Sequence, residues 1–286
     1  MSSMVRPLAS RFLLAFDAGS VSGAEVSRGL GRPQVRAFAS APLAPGALVP
    51  SPFDRNLRRA EEVRAALARV LQGLGGKVRS ACLLLPEAVA RLALVEHTTN
   101  ASAVEYARFR LAQGLPYPAA EAVTELLPLG RGRSAAAAVR KSVIAEYEAL
   151  AAGAGLEQER LDLTPLAALA ALLRQAVGPT RTVDLILGDL AYCLAAHHGG
   201  HLKVLRQRRR DPGPGEPERL RDEAQRTAGL AGSGNDLRLR VVGVGATALL
   251  TWLRGAGVAA GGGWPVPVGE LPAEAAEAAW LGEALA

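Results

Sequence analysis

Asp17 has the residue type and the setting for chemistry, because it follows the apolar run 12–16 and precedes the small residues 18–23. A carboxylate at a strand end, next to the N–H groups of a tight turn, is suited to hold a metal ion and phosphate groups. The same pattern also produces an ordinary β-hairpin. Taken alone it favours the hairpin, so the assignment depends on the rest of the chain.

The composition of the 286 residues limits the classes of function. Hydrophobic residues make up 49% of the chain and aromatic residues 4%, so Ala, Leu and Val must build the core. The excess of arginine over lysine, with abundant Ala and Gly, is typical of a GC-rich bacterial genome. The net charge of +6 is therefore weak evidence for nucleic-acid binding, since a dedicated DNA binder concentrates its arginines in one motif.

The cysteines and the apolar runs favour a cytoplasmic protein. Cys82 and Cys193 lie far apart within apolar runs, where buried and reduced thiols are expected. The longest apolar helical candidate, 165–173, is about half of the roughly 20 residues that a membrane-spanning helix needs.

The order of predicted elements indicates a duplicated α/β fold. In the first half, strand patterns are followed by a helix and another strand, at 12–16, 24–28, 34–40, 58–72 and 78–85. The second half has the same order, at 182–187, 191–196, 202–205, 218–231 and 236–242. Each half is the beginning of a ribonuclease-H-like lobe. Two such lobes facing each other would place their first hairpin turns across a shared cleft, so Asp17 becomes a candidate site residue.

The segment between the lobes has a pattern of its own. We predict a strand, a helix, a hairpin and a second helix, at 88–97, 101–113, 122–141 and 142–152. We interpret this segment as a small inserted α+β subdomain. The predicted domains are a first lobe, the insertion and a shortened second lobe, formed by 1–86 with 153–178, by 87–152 and by 179–286.

Several stretches, read in chain order, resemble motifs of one family. They are FDAGSVSGAEV from Phe16, the strand end 84–87, the helix, turn and acidic strand of 106–129, the passage 143–169, the glycine turn 241–247 and the closing stretch 279–285. Together they resemble the actin-like ATPase superfamily, and specifically the PilM-type cytoplasmic proteins of type IV pilus assembly. The order of these stretches over nearly the whole chain carries the resemblance.

The resemblance implies a site for ATP and Mg²⁺ in the cleft between two actin-like lobes. Asp17 would orient the metal ion through water, as its catalytic contribution. The residues implied in nucleotide binding are Asp17, Gly19, Ser20 and Ser22 from the first lobe, and Gly188, Gly243, Gly245 and Ala246 from the second.

The second phosphate loop departs from the family pattern. The family has an acid two residues before the glycine, and Ile186 occupies that position before Gly188. Asp184 lies roughly 7 Å further back along the strand. Asp189 is expected on the opposite face, because strand side chains alternate. Val244 replaces a glycine in the glycine turn 241–247, which we call the adenosine turn because it resembles the adenosine-binding turn of the family. We therefore expect weak or no hydrolysis, since losing one electrostatic stabiliser costs roughly 10²–10³ in rate.

Three further patterns have ordinary structural explanations. The Gly-Gly-Lys at 75–77 fails the phosphate-loop motif and is interpreted as a helix stop. His197, His198 and His201 are interpreted as a polar hairpin, because no carboxylate or thiol completes a metal site. The arginine-rich run 206–210 fits either contact with anionic lipid or a solvated loop, and the loop is favoured.

Two hypotheses from different classes follow. The first is an actin-like scaffold of pilus assembly, located in the cytoplasm at the inner membrane through its partners, without nucleic acid. The resemblance implies as partners the N-terminal tail of a PilN-like inner-membrane protein and other pilus platform proteins. The tail would bind in a groove within 88–117, where the insertion meets the first lobe. The alternative is a small-molecule kinase or ATP hydrolase of the same fold.

Overall fold

The computed structural model describes residues 10–27, 34–97, 103–130, 132–174, 181–198, 201–232, 237–258 and 260–262. The strands are β1 Phe12–Phe16, β2 Ser20–Ser27, β3 Gln34–Pro42, β4 Ser80–Leu85, β5 Ala90–Glu96, β6 Ala122–Gly130, β7 Arg133–Arg140, β8 Glu157–Leu163, β9 Arg181–Leu187, β10 Ala191–His198, β11 His201–Arg209, β12 Leu237–Gly243 and β13 Ala260–Gly262. The α-helices are α1 Ala60–Gly73, α2 Ala103–Ala112, α3 Lys141–Gly153, α4 Thr164–Arg174, α5 Glu216–Ala231 and α6 Ala246–Gly255.

The first lobe contains a mixed sheet of five strands in the order β3-β2-β1-β4-β8. β1 pairs antiparallel with β2 and parallel with β4, and helix α1 packs its buried face on β2 and β3. This packing explains Gly23, where a Cβ atom would lie 2.8 Å from the Val70 side chain and 2.9 Å from Leu14. The small residues 20–23 therefore belong to strand β2 rather than to the turn, which is shorter than the predicted 18–23.

The second lobe repeats this architecture and confirms the predicted duplication. Its sheet has the order β11-β10-β9-β12-β13, with β9 antiparallel to β10 and parallel to β12. Helix α5 follows β11 as α1 follows β3, and its buried face includes Leu220, Ala224 and Ala228. The closing stretch at 279–285 lies outside the described residues.

The inserted segment forms a three-stranded antiparallel sheet in the order β5-β7-β6, covered by α2. Helix α3, assigned from the sequence to the insertion, contacts β8 of the first lobe as well as β7. Its Tyr147 stacks edge-on against Phe16 at 5.4 Å and hydrogen-bonds Asn56 of the first lobe. The helix therefore joins the two units, and the domain boundaries stay a prediction. None of the described helices is long and apolar enough to cross a membrane.

A buried charge cluster crosses the second sheet on three adjacent strands. Asp184, fully buried on β9, accepts hydrogen bonds from Arg240 of β12 at 2.6 and 2.7 Å. Its Oδ2 also lies 3.1 Å from Nε2 of His197 on β10. His197 is thus buried beside a carboxylate, which the sequence interpretation of a polar hairpin missed. Within the described ranges, no group of three or more His, Cys, Asp and Glu residues is arranged to hold a metal ion.

The cluster predicts a large stability loss when only its acid is removed. Asp184→Leu leaves the Arg240 charge buried without its partner, which costs about 3–5 kcal/mol in the free energy of unfolding. The double variant Asp184→Leu/Arg240→Met removes both charges and should regain most of this loss. Urea unfolding of the three proteins measures both values, and a single variant within 1 kcal/mol of the native protein would contradict the assignment.

Candidate functional site

The two lobes present equivalent hairpin turns to each other. In the β1–β2 turn the Asp17 N–H donates to the Ser20 carbonyl at 2.9 Å, and in the β9–β10 turn Gly188 donates to Ala191 at 3.0 Å. Strand pairing continues one residue outside each turn in the same register. Gly188 is therefore the structural counterpart of Asp17. The two turns stand where the sequence predicts the first and second phosphate loops, and phosphate binding by them stays a prediction.

The register corrects the sequence alignment of the second loop. The acid is missing at Gly188, the counterpart of Asp17. The sequence alignment placed the missing acid two residues earlier, at Ile186. Asp189 does not point away from the cleft, because 188–191 is a turn and strand alternation does not apply to it. Its Oδ2 accepts a hydrogen bond from the Gly19 N–H at 2.9 Å. The second loop therefore supplies a carboxylate, but one that is bound to the opposite loop.

Glu87 is a site residue that the sequence interpretation missed. It follows β4, which runs parallel to β1, so its side chain emerges at the edge of the sheet where β1 delivers Asp17. The Glu87 side chain is buried, and its Oε1 accepts a hydrogen bond from the Ala191 N–H at 3.2 Å. A Cβ atom on Gly188 would overlap with this carboxylate. The signal available in the sequence was an acid directly after a buried parallel strand.

Asp17 and Glu87 at the cleft have raised pKa values. Desolvation is the largest cause of the raised pKa of Asp17, followed by the charges of Glu87 and Asp189, and an N–H bond from Ala18 opposes it. Burial raises the pKa of Glu87 from 4.5 to about 7, although the Ala191 N–H and the charge of Arg210 oppose the increase. The cleft therefore brings together carboxyl groups that repel each other when they are ionised.

Arg210 connects the second loop to the adenosine turn through hydrogen bonds. Its Nη1 donates to the carbonyls of Gly188 at 2.7 Å and Val244 at 2.8 Å, and its Nε donates to Glu216 at 2.6 Å. The arginine-rich run is thus not a solvated loop. Most of it lies on β11, where Arg206 pairs with Glu223 of α5 at 3.1 Å.

The adenosine turn has the tight geometry that its glycines indicate. Gly243 has φ +106°, and a Cβ atom there would overlap with the Leu187 carbonyl. Gly245 has φ +78°, directly before α6 begins at Ala246. Val244 donates its N–H to Leu187 at 2.9 Å and leaves its side chain 40% exposed. This turn lies beside the second loop, and its role in binding adenosine stays a prediction.

The serines of the first loop lie at the start of β2. Ser20 closes the turn through its carbonyl, and the Ser22 hydroxyl lies 3.0 Å from that of Ser40 on β3. The Ser22 hydroxyl is therefore engaged within the sheet. Binding of phosphate by either serine stays a prediction.

A groove of about 540 Å³ lies between the inserted subdomain and the second lobe. We call it the β5–β11 groove, because these two edge strands form its walls together with α2. Its lining residues are 91–96, Tyr106, Arg110 and 203–205. It includes part of the predicted segment 88–117, but the opposite wall comes from the second lobe rather than the first. Charged side chains from all three elements line the groove, so its surface is polar.

Two duplicated lobes, each with the order β-β-β-α-β and facing phosphate loops, define the actin-like ATPase fold. Among solved structures, the chain is similar to that of the "PilM-PilN type IV pilus biogenesis complex", at 20% identity over 98% of both chains and a TM-score of 0.72. This likeness confirms the predicted fold class, and it confirms the resemblance to PilM-type proteins at the level of the fold.

Other solved structures share the fold less closely. The chain is similar to the cytoplasmic domain of EpsL, an inner membrane component of the type II secretion system of Vibrio cholerae, at 12% identity, 81% of each chain and a TM-score of 0.51. It is also similar to a protein of unknown function with an actin-like ATPase fold from Bacteroides thetaiotaomicron, at 10% identity, 86% of this chain, 88% of that one and a TM-score of 0.52. No family model and no curated protein matches the sequence.

The pKa of Glu87 predicts a specific dependence of stability on pH. Between pH 4.5 and 7 the folded protein retains a proton that the unfolded chain has released, so this group's stabilising contribution falls as pH rises. Glu87→Gln keeps the neutral form at every pH. It should match the native protein at pH 5 and exceed its free energy of unfolding by about 1–3 kcal/mol at pH 8.

Urea unfolding at both pH values measures this difference. Exposed Glu105→Gln, on α2, is the matched control and should follow the native profile. A Glu87→Gln variant whose stability runs parallel to that of the native protein would show that Glu87 titrates normally.

Proposed function

We propose that this chain is a bacterial, cytoplasmic actin-like scaffold of type IV pilus assembly, held at the inner membrane by the tail of a PilN-like protein. The observation that carries the proposal is the β5–β11 groove, an open docking surface on the inserted subdomain. The likeness to the PilM–PilN structure over 98% of the chain supports it. Association with other platform proteins, without nucleic acid, belongs to the same proposal.

The backbone of the groove suits an extended peptide. β5 is the edge strand of its sheet, and β11 is the edge strand of the second sheet. At one end, the Gln207 side chain accepts from the Leu92 N–H at 3.2 Å and donates to the Ala90 carbonyl at 3.0 Å. Because alternate residues of a strand face the same edge, the backbone groups of Leu94 and Glu96 also face the groove. An added strand could continue the pairing that Gln207 begins.

The side chains of the groove define the chemistry of the partner. Arg91, Arg110 and Lys203 give its lining a positive excess over Glu96, and the ring of Tyr106 is 42% exposed beside them. An aromatic ring flanked by arginines is typical of an interface anchor. The proposed occupant is therefore an extended N-terminal tail that presents apolar side chains towards Tyr106 and an acidic group towards the basic side chains.

Nucleotide turnover distinguishes this proposal from its rival. A kinase or hydrolase of this fold would release phosphate or transfer it at ordinary enzyme rates, on the order of 1–10³ per second. The scaffold is expected to turn over ATP with Mg²⁺ weakly or not at all, since Gly188 replaces the second acid. A phosphate-release assay with purified protein tests this, and turnover at enzyme rates would favour the rival.

The groove predicts the effect of one aromatic truncation on peptide binding. A labelled peptide of the N-terminal cytoplasmic tail encoded by the neighbouring PilN-like gene should bind the native chain in a fluorescence-anisotropy titration. Tyr106→Ser should weaken binding about 10- to 30-fold, as expected for an aromatic anchor. Leu230→Ser removes an apolar side chain of α5 that is 65% exposed, and it should leave the affinity unchanged. Equal losses in both variants, or no binding at all, would remove the groove as the site.

A further inference from the structure

The cleft carries reciprocal hydrogen bonds between its two phosphate loops. Asp189 of the second lobe accepts from the Gly19 N–H of the first loop at 2.9 Å. Glu87, which follows strand β4 of the first lobe, accepts from the Ala191 N–H of the second loop at 3.2 Å. Each lobe thus provides a carboxylate to a backbone donor of the other. These donors belong to the loops that would bind phosphate oxygens in an actin-like site.

The glycines of both loops also lie against these carboxylates. The Glu87 carboxylate lies directly against the backbone of Gly188, where a Cβ atom has no room. On the opposite side, a Cβ atom on Gly19 would lie 3.3 Å from Oδ2 of Asp189. The close approach that glycine gives to a phosphate in such loops is here given to a carboxylate of the chain itself.

The electrostatics of the cleft also disfavour a nucleotide. Asp17, Glu87 and Asp189 are close enough to raise the pKa of Asp17, and phosphate groups would add negative charge beside them. Arg210 offsets this charge only in part, because it opposes the raised pKa of Glu87 while its guanidinium is bound to two carbonyls and to Glu216.

We propose that Glu87 and Asp189 take the place of the phosphate oxygens and close the two lobes on each other without nucleotide. The cleft is then an internal latch, and ATP with Mg²⁺ does not fit it in the closed form. This inference does not depend on the pilus partner, because it concerns only contacts between the lobes. It differs from simple loss of a catalytic acid, since it predicts that nucleotide affinity increases when the substituting carboxylates are removed.

Calorimetric titration with ATP and Mg²⁺ tests the latch. The native chain should show a Kd above about 1 mM, and about 0.1 mM nucleotide should leave its Tm unchanged. Asp189→Ala frees the Gly19 N–H and removes one like charge, so affinity should rise at least tenfold. Asp189→Ala/Glu87→Ala should raise it further. Asp211→Ala removes an acid that is 91% exposed on the same lobe and should behave as the native chain does.

Two results would overturn the latch. A native Kd below about 100 μM would overturn the latch, because the closed cleft would then accept nucleotide. Folded Asp189→Ala protein without a gain in affinity would overturn it as well. Asp189 is only partly buried, so this single variant decides the question if the double variant fails to fold.

Discussion

When the lobes close, the backbone N–H groups of the two facing loops need hydrogen-bond acceptors. The arrangement of the whole cleft depends on which groups act as these acceptors. A nucleotide supplies phosphate oxygens in an actin-like site. Here Asp189 and Glu87 supply carboxylate oxygens instead, each across the boundary between the lobes. The duplicated sheets make this reciprocity geometrically available, because they present two turns of the same length and register to each other. Acceptors and donors are thus provided by the same chain.

The same contacts link the cleft to the β5–β11 groove. Glu87 lies between β4 of the first lobe and β5 of the inserted subdomain, and Gln207 of β11 donates to its carbonyl at 2.6 Å. Gln207 also bonds Ala90 and Leu92 at the start of β5. The strand that lines the groove at 203–205 therefore holds the acid that closes the cleft. A peptide bound in the groove, as proposed, and a change in the lobe arrangement would act on one shared element, which provides a physical route between them.

The sequence was sufficient to predict the fold but not the contacts within the site. The order of strand and helix patterns predicted both lobes, because each pattern depends on local residues. Asp189 was assigned to the wrong face, since strand alternation was extended into a turn. Glu87 was missed, and Arg210 was interpreted as part of a solvated loop, because their roles depend on contacts with Ala191 and Val244, which lie 104 and 34 positions away and which no local pattern encodes. A site built from residues of two lobes can be recognised only when the strand register of both sheets is compared.

Residue-resolved amide hydrogen exchange of the native chain, followed by NMR with and without ATP and Mg²⁺, tests the latch most directly. The account predicts that the Gly19 and Ala191 amides are already protected without nucleotide, and that millimolar ATP leaves their exchange rates unchanged. Fast exchange of both amides in the free protein, with protection only after nucleotide is added, would contradict it. The loops would then be an open phosphate site rather than a cleft closed by the carboxylates of the chain.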